Sequence, residues 1–218
     1  MKTQTAPRRI RLTPEARREE IIAITQTAIA RDGYRALSLR EIARRCGMSA
    51  PGLMHYFPDM PTLLKAVIEH RDEADLTEAL DSLGSDATLV QMMDRVWEYY
   101  HSRPDETRNF DLLEAEALDP RHPAHEYYLE RNERTFQRLR VQIEREFVDA
   151  EAIARVFRLL LDGLTLRRLR TPDDPTAAAE DWTAVRDTFL ARQARVASDE
   201  LAHPEESHLP GRASVRAS

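Results

Sequence analysis

Residues 38–57, SLREIARRCGMSAPGLMHYF, decide the fold. Ser38 followed three residues later by Glu41 makes a capping box, which satisfies two orphan amides and starts a short helix. Leu39, Ile42, Ala43 and Cys46 then fall at i, i+3, i+4 and i+7, one apolar stripe along that helix. Gly47 ends it, because only glycine takes a positive φ without steric cost. Ser49 is an N-cap for a second helix, and Pro51 lies in its first turn, where the missing N–H costs little. Two short helices across a tight glycine turn predict a helix–turn–helix, which presents its second helix to a DNA major groove.

The rest of the composition agrees with a helical chain. Six glycines against 32 % charged residues in 218 argue for helices, because strand-rich folds need more turn residues. Runs of Val, Ile, Thr and aromatics at period two are missing. No apolar run approaches the roughly 20 residues of a membrane span. The opening MKTQTAPRRIRLTPE has no apolar core of the kind a signal peptide needs. One cysteine makes no internal disulfide, so a reducing cytoplasm is the expected compartment. The net charge of −6 is unevenly spread: residues 1–60 carry 11 basic and 6 acidic side chains, and residues 61–218 carry 21 and 32. A basic head on an acidic body suits a nucleic-acid-binding head whose body does something else.

Helix signals organise the remainder. Residues 1–12 read as a basic, disordered arm with Lys2, Arg8, Arg9 and Arg11. Thr13 caps a helix that opens at Pro14 and runs to about Arg31, with Ile21, Thr25, Ala28 and Ile29 inward and Gly33 as its stop. Asp59 and Pro61 start a fourth helix carrying Leu63, Leu64, Val67 and Ile68. Its polar second half, EHRDEADLTEAL, is expected to lean out from the core. Further helices are predicted from about Leu89 to Tyr100, around Phe110 to Leu118, from Pro123 to Phe147, from Ile153 to Leu169 and from Ala177 to about Val196. The fold class is therefore all-α, about nine helices. A helix–turn–helix domain occupies residues 13–60, a larger helical domain 61–200, and a disordered tail 201–218. No internal repeat stands at a solenoid period.

The head resembles the TetR/AcrR family of bacterial transcriptional regulators. The residues that carry the resemblance are Ser38, Ile42, Ala43, Gly47, Met48, Ser49, Pro51, Leu53, His55, Tyr56, Phe57, Leu63 and Leu64, matched at fixed spacing over about 50 positions. The resemblance implies a homodimeric DNA-binding regulator, a repressor by default, released from a double-stranded operator by a small molecule. It implies no catalysis, no cofactor and no metal. Two positions depart from the pattern: Met54 stands where the family has Tyr, and Met60 where it has a phosphate-binding Lys. The basic arm, Arg40 and Arg44 are expected to take up phosphate binding in that Lys's place.

Within the second helix, Leu53 and Phe57 are spaced to pack inward. Ala50, Pro51, Gly52, Met54, His55 and Tyr56 are left as candidates for the groove, with Ser38 and Ser49 offering capped helix ends. None of the six is Arg, Asn or Gln, so bidentate base reading is not available inside this helix. Apolar contact with thymine methyls and DNA shape are expected to carry specificity. Met54 either faces the groove or fills the core. Tyr56 either bonds a phosphate, as the family implies, or buries its ring.

A single head makes few base contacts, so a symmetric dimer on a near-palindromic site is expected. The resemblance places the interface on the last helices, with Phe157, Leu160, Gly163, Leu164, Trp182 and Phe189 as candidates. It also raises an effector pocket for an apolar or aromatic molecule, with candidates Met93, Trp97, Tyr100, His101, Phe110, Glu114, Tyr128 and Phe157. The alternatives are a non-sensing dimeric DNA-binding protein and a helical enzyme. The evidence for an enzyme is only His122, His125 and Glu126, and the sequence HEYYL lacks the second His of a zincin.

Overall fold

The computed structural model describes residues 12–190, which form nine α-helices. Most of the basic arm, the last helix beyond residue 190 and the tail at 201–218 lie outside the described residues. The helices are α1 Pro14–Asp32, α2 Leu39–Arg45, α3 Ala50–Met54, α4 Met60–Leu80, α5 Leu89–His101, α6 Pro104–Glu116, α7 His125–Glu144, α8 Ala150–Arg170 and α9 Pro175–Ala184. A 3₁₀ turn, Tyr34–Ala36, follows α1, and a π-helical stretch, Val185–Leu190, follows α9.

Caps written in the sequence set these boundaries. The Thr13, Ser49, Asp59, Asp149 and Asp174 side chains each accept from the amide three residues on, and Pro opens α1, α4, α6 and α9 in the first turn. At the end of α2, Gly47 takes φ +63. Its amide donates to the Arg44 carbonyl, and the Met48 amide reaches back to that of Ala43. This pair of bonds is a Schellman stop, which needs a left-handed residue at that one place. Replacing Gly47 by Ala is expected to lower stability by about 1–2 kcal/mol in urea unfolding, since a Cβ disfavours the left-handed region.

The backbone divides into two compact units, one of residues 12–82 with 95–132 and one of 83–94 with 133–190. In the first, Ile21, Ile22 and Ile29 of α1, Ile42 and Ala43 of α2, Leu53, Phe57, and Leu63, Leu64, Val67 and Ile68 of α4 form one cluster with Phe110, Leu113, Tyr127 and Tyr128. Helix α6 is also tied to α1 by a hydrogen bond from Asn109 Nδ2 to the Ala30 carbonyl at 2.6 Å. The core of the second unit is Leu89, Ile143, Phe147, Ile153, Ala154, Phe157, Trp182 and Leu190.

One expectation fails in α4. Its polar half does not lean away, because Arg71, Asp75 and Ala79 are buried. Burial of the charges is tolerated through mutual pairing and aromatic cover: Arg71 Nε lies 3.1 Å from Asp75 Oδ2, and its guanidinium sits 4.1 Å from the Phe110 ring centroid.

Candidate nucleic-acid interface

The capping box forms by half. Ser38 Oγ accepts from the Glu41 amide at 3.2 Å, as its N-cap position dictates. The Glu41 carboxylate, however, turns along the helix and accepts from Arg44 at 2.7–2.8 Å and from Arg45 at 2.8 Å. Those hydrogen bonds, Arg44's first and Arg45's second, hold its pKa down at about 2. Two charged donors outcompete one amide for the same carboxylate. Arg45 also reaches Asp32 at the end of α1, and Asp32 is held well below the usual carboxylate range by Arg31 and then Arg45. The N-terminal half of the motif is thus braced by an ion-pair chain, and Arg44 must leave Glu41 to take a phosphate. Arg40 is exposed and makes no ion pair among the described residues.

Helix α3 has only five residues, and Leu53 with Phe57 just beyond it is wholly buried against the head core. Its outward side carries Pro51, Met54 and His55. Met54 is 48 % exposed, so it faces solvent and is not a core filler. Ala50, Gly52 and Tyr56 are half-buried, and the Tyr56 ring leans on the head core with the His55 ring edge-on at 5.6 Å. Ser49 Oγ accepts from the Gly52 amide at 3.2 Å, and a Cβ at Gly52 would come within 3.1 Å of that oxygen. Met60, in the place of the family's Lys, packs against the cluster instead. Arg18 was not singled out by its sequence position, yet its guanidinium lies 5.0 Å over the Phe57 ring. The contact pairs α1 with the segment after α3, and only tertiary structure reveals it.

The effector candidates fall in both units. Trp97, Tyr100, His101, Phe110, Glu114 and Tyr128 belong to the first, and Met93 and Phe157 to the second. Trp97 stacks on His101 at 5.4 Å. Phe110 and Tyr128 are buried, while Glu114 accepts from Asn132 at 3.1 Å and lies 3.6 Å from Arg131. Around them the sequence reading missed a charged cluster. Arg131 holds Asp72 with two hydrogen bonds, of 2.5 and 2.9 Å, and Tyr99 donates to Asp75 at 2.7 Å. Burial opposes the Arg131 charge, but Asp72 overrides it and raises the guanidinium above its ordinary value.

Of the interface candidates, Phe157 has no exposure and Trp182 almost none; the Trp182 indole donates to Asp94 at 2.9 Å. Both therefore serve the core of their own unit. Leu160, Leu164 and Phe189 are half-buried, and Gly163 is exposed with nothing within 4 Å of an added Cβ. The open apolar side of α8 is one register over, at Val156, Leu159, Gly163 and Leu166.

His122 and His125 are spent on the turn between α6 and α7. His125 Nδ1 lies 2.8 Å from the Ala117 carbonyl, and the His122 ring stands edge-on to Tyr34 at 4.9 Å. Burial lowers the His122 pKa. Among the described residues no group of three His, Cys, Asp or Glu could hold a metal ion, and no helix is long and apolar enough to cross a membrane.

Comparison with known proteins agrees with this geometry. Residues 21–67 match the family model described as bacterial regulatory proteins, tetR family. A TetR-family transcriptional regulator from Rhodococcus sp. superposes with TM-score 0.64 at 21 % identity, over 79 % of this chain and 97 % of that one. A transcriptional regulator from Rhodococcus sp. Rha1 gives 0.64 at 17 %, over 81 % and 97 %. Another, from Streptomyces coelicolor A3(2), gives 0.55 at 26 %, over 84 % and 98 %. No curated protein matches by sequence. The helix–turn–helix lies inside the segment that matches the tetR family model, and the helical body has the fold of such regulators, so the chain is similar to TetR-family DNA-binding regulators of transcription.

Proposed function

We propose that this regulator is a homodimeric repressor, released from its operator by a small apolar or aromatic effector and working in the cytoplasm. Residues 13–60 act as the DNA-binding head and 61–200 as the sensing and dimerising body. The observation that supports the reading best is the outward side of α3. Pro51, Met54 and His55 stand exposed on a helix fixed from behind by Leu53 and Phe57. Apolar atoms there suit thymine methyls, and no side chain on the helix has the fork that reads guanine. Specificity then rests on DNA shape and on arginines outside the helix.

Selection of bound duplexes from random DNA tests this reading. A near-palindromic motif with A·T-rich half-sites supports it, and retention of no duplex at low salt overturns it. Replacing Arg40 by Ala is expected to weaken binding to specific and nonspecific duplex alike. The slope of log K against log salt should become shallower by about one phosphate contact.

Release follows from α4. Its first half, Leu63 to Ile68, is packed in the head cluster, and its second half carries Arg71, Asp72 and Asp75 into the aromatic cluster of the body. An effector that moves this rod moves the head with it. It must bind the released and DNA-competent states with a difference of ~1–3 kcal/mol to be effective. A bare dimeriser would show no stabilisation by any small molecule in a thermal shift screen.

A further inference from the structure

The head meets the rest of the first unit at a joint away from α4, where the end of α1 and the turn after it touch α6 and the turn between α6 and α7. Three contacts make this joint. Asn109 Nδ2 donates to the Ala30 carbonyl, in the last turn of α1, at 2.6 Å. Arg35 Nε lies 2.7 Å from Glu116 Oε1 at the end of α6. The His122 ring stands edge-on to the Tyr34 ring, with centroids 4.9 Å apart.

His122 is held in a way that suits only its neutral form. The amide of the fully buried Ala124 donates to His122 Nδ1 at 3.2 Å. A nitrogen that accepts carries no hydrogen, so the ring's single N–H is on Nε2. Nε2 is sealed from solvent and has no hydrogen-bond partner among the described residues. A second proton would enter at Nδ1, face to face with the Ala124 N–H. The imidazolium would then have two buried donors and an acceptor for neither. Of the charged groups around it, Glu116 of α6 and Asp119 of the turn favour its charge and His125 of α7 opposes it. Both carboxylates are already engaged, Glu116 by Arg35 and Asp119 by Arg121. Tyr34, the group facing it from the turn after α1, keeps its proton, pushed up by burial and then by Glu116. Burial outweighs the two carboxylates and holds His122 below its ordinary value. The sign follows: the stability His122 gives the joint is present above the ordinary histidine value of about 6.5 and is lost as pH falls below it.

We infer that His122 is an acid-sensitive latch between the head and the α6–α7 turn. When its ring takes a second proton, it leaves the Ala124 amide and the Tyr34 ring, and the turn after α1 is freed on that side. Asn109 and Arg35 stay in place, so the joint loosens without unfolding the head. The consequence for function rests on the DNA-binding reading above: operator affinity falls in acid. Added positive charge elsewhere on a protein favours DNA, so such a fall is opposite in sign to the general electrostatic effect.

Amide exchange of the full chain at about pH 7.5 and about pH 5.5, corrected for the intrinsic rates, tests the latch across the histidine range. The comparison is His122→Asn, whose Oδ1 can accept from the Ala124 amide as Nδ1 does but takes no proton. In the parent, protection of residues 33–37 and 122–127 is expected to fall about threefold or more in acid, one proton allowing at most about tenfold per pH unit. In His122→Asn it should not change. Affinity for the duplex selected from random DNA, at fixed ionic strength, should fall with it in the parent alone. An equal acid response in parent and variant, or protection in the parent that does not change, overturns the inference. If His122→Asn fails to fold, an NMR titration of the parent's His122 ring decides, and a ring that titrates at or above the ordinary histidine value overturns it. Protection that falls while duplex affinity holds refutes the coupling to the head. Duplex bound at neither pH removes the DNA-binding reading, and exchange still decides the latch.

Discussion

Replacing Leu159 by Glu is expected to give monomers that bind operator at least roughly a hundredfold more weakly than the parent. On α8, Val156 is 43 % exposed, Leu159 69 % and Leu166 44 %, with bare Gly163 between them. Their spacing of three, four and three residues makes a straight seam of the kind two helices share. A carboxylate in that seam is easily solvated in a monomer but costs several kcal/mol when desolvated between two chains without a partner. With one head per molecule, half of the operator contacts disappear. Sedimentation equilibrium and a gel shift on the selected site measure the two effects together. A parent that is monomeric, or a variant that keeps both dimer mass and affinity, refutes the interface. Leu160→Glu and Leu164→Glu are the comparison, since those side chains are half-buried. They should lower the stability of the protomer itself.

Phe57→Ala should cost the protein about 3–5 kcal/mol and remove specific DNA binding at ordinary temperature. Phe57 has no exposure, sits in the cluster with Ile42, Leu53 and Leu64, and carries the Arg18 guanidinium over its ring. Helix α3 is far too short to persist alone in water, so its position comes almost wholly from this anchorage and that of Leu53. Denaturant unfolding gives the stability, and amide exchange in residues 49–57 gives the local effect. A stable variant with α3 still protected and the operator still bound would contradict the assignment. Met54→Ala is the control, because the exposed Met54 leaves the core untouched and alters only the face offered to the groove.

Much of this architecture was readable because it depends on near neighbours. Thr13, Ser38, Ser49 and Asp59 were legible as caps since each bonds an amide three residues away. The inward positions of α1, with Ile21, Thr25, Ala28 and Ile29 all buried, follow from helical periodicity. The Glu41 side chain was misread because the sequence offers it two uses, an amide behind and two arginines ahead. Only their relative strength separates these. On α8 the helical period was legible, but which apolar side stays open was not. Phe157, Leu160 and Leu164 are the bulkier set, and the body took them inward more than Val156, Leu159 and Leu166.

The sequence by itself determined the order of the helices, the caps at Thr13, Ser38, Ser49 and Asp59, the glycine stop at Gly47 and the inward anchors Leu53 and Phe57 of the α3 segment. Each of these is settled within about a turn of chain by hydrogen bonds and apolar spacing. Tertiary structure alone decided that Arg71 and Asp75 are interior, that Arg131 and Tyr99 engage the carboxylates of α4, and that Arg18 covers Phe57. A charged residue reads as solvated until a distant helix supplies rings and counter-charges, and no local pattern in EHRDEADLTEAL announces Phe110, which comes some forty positions later.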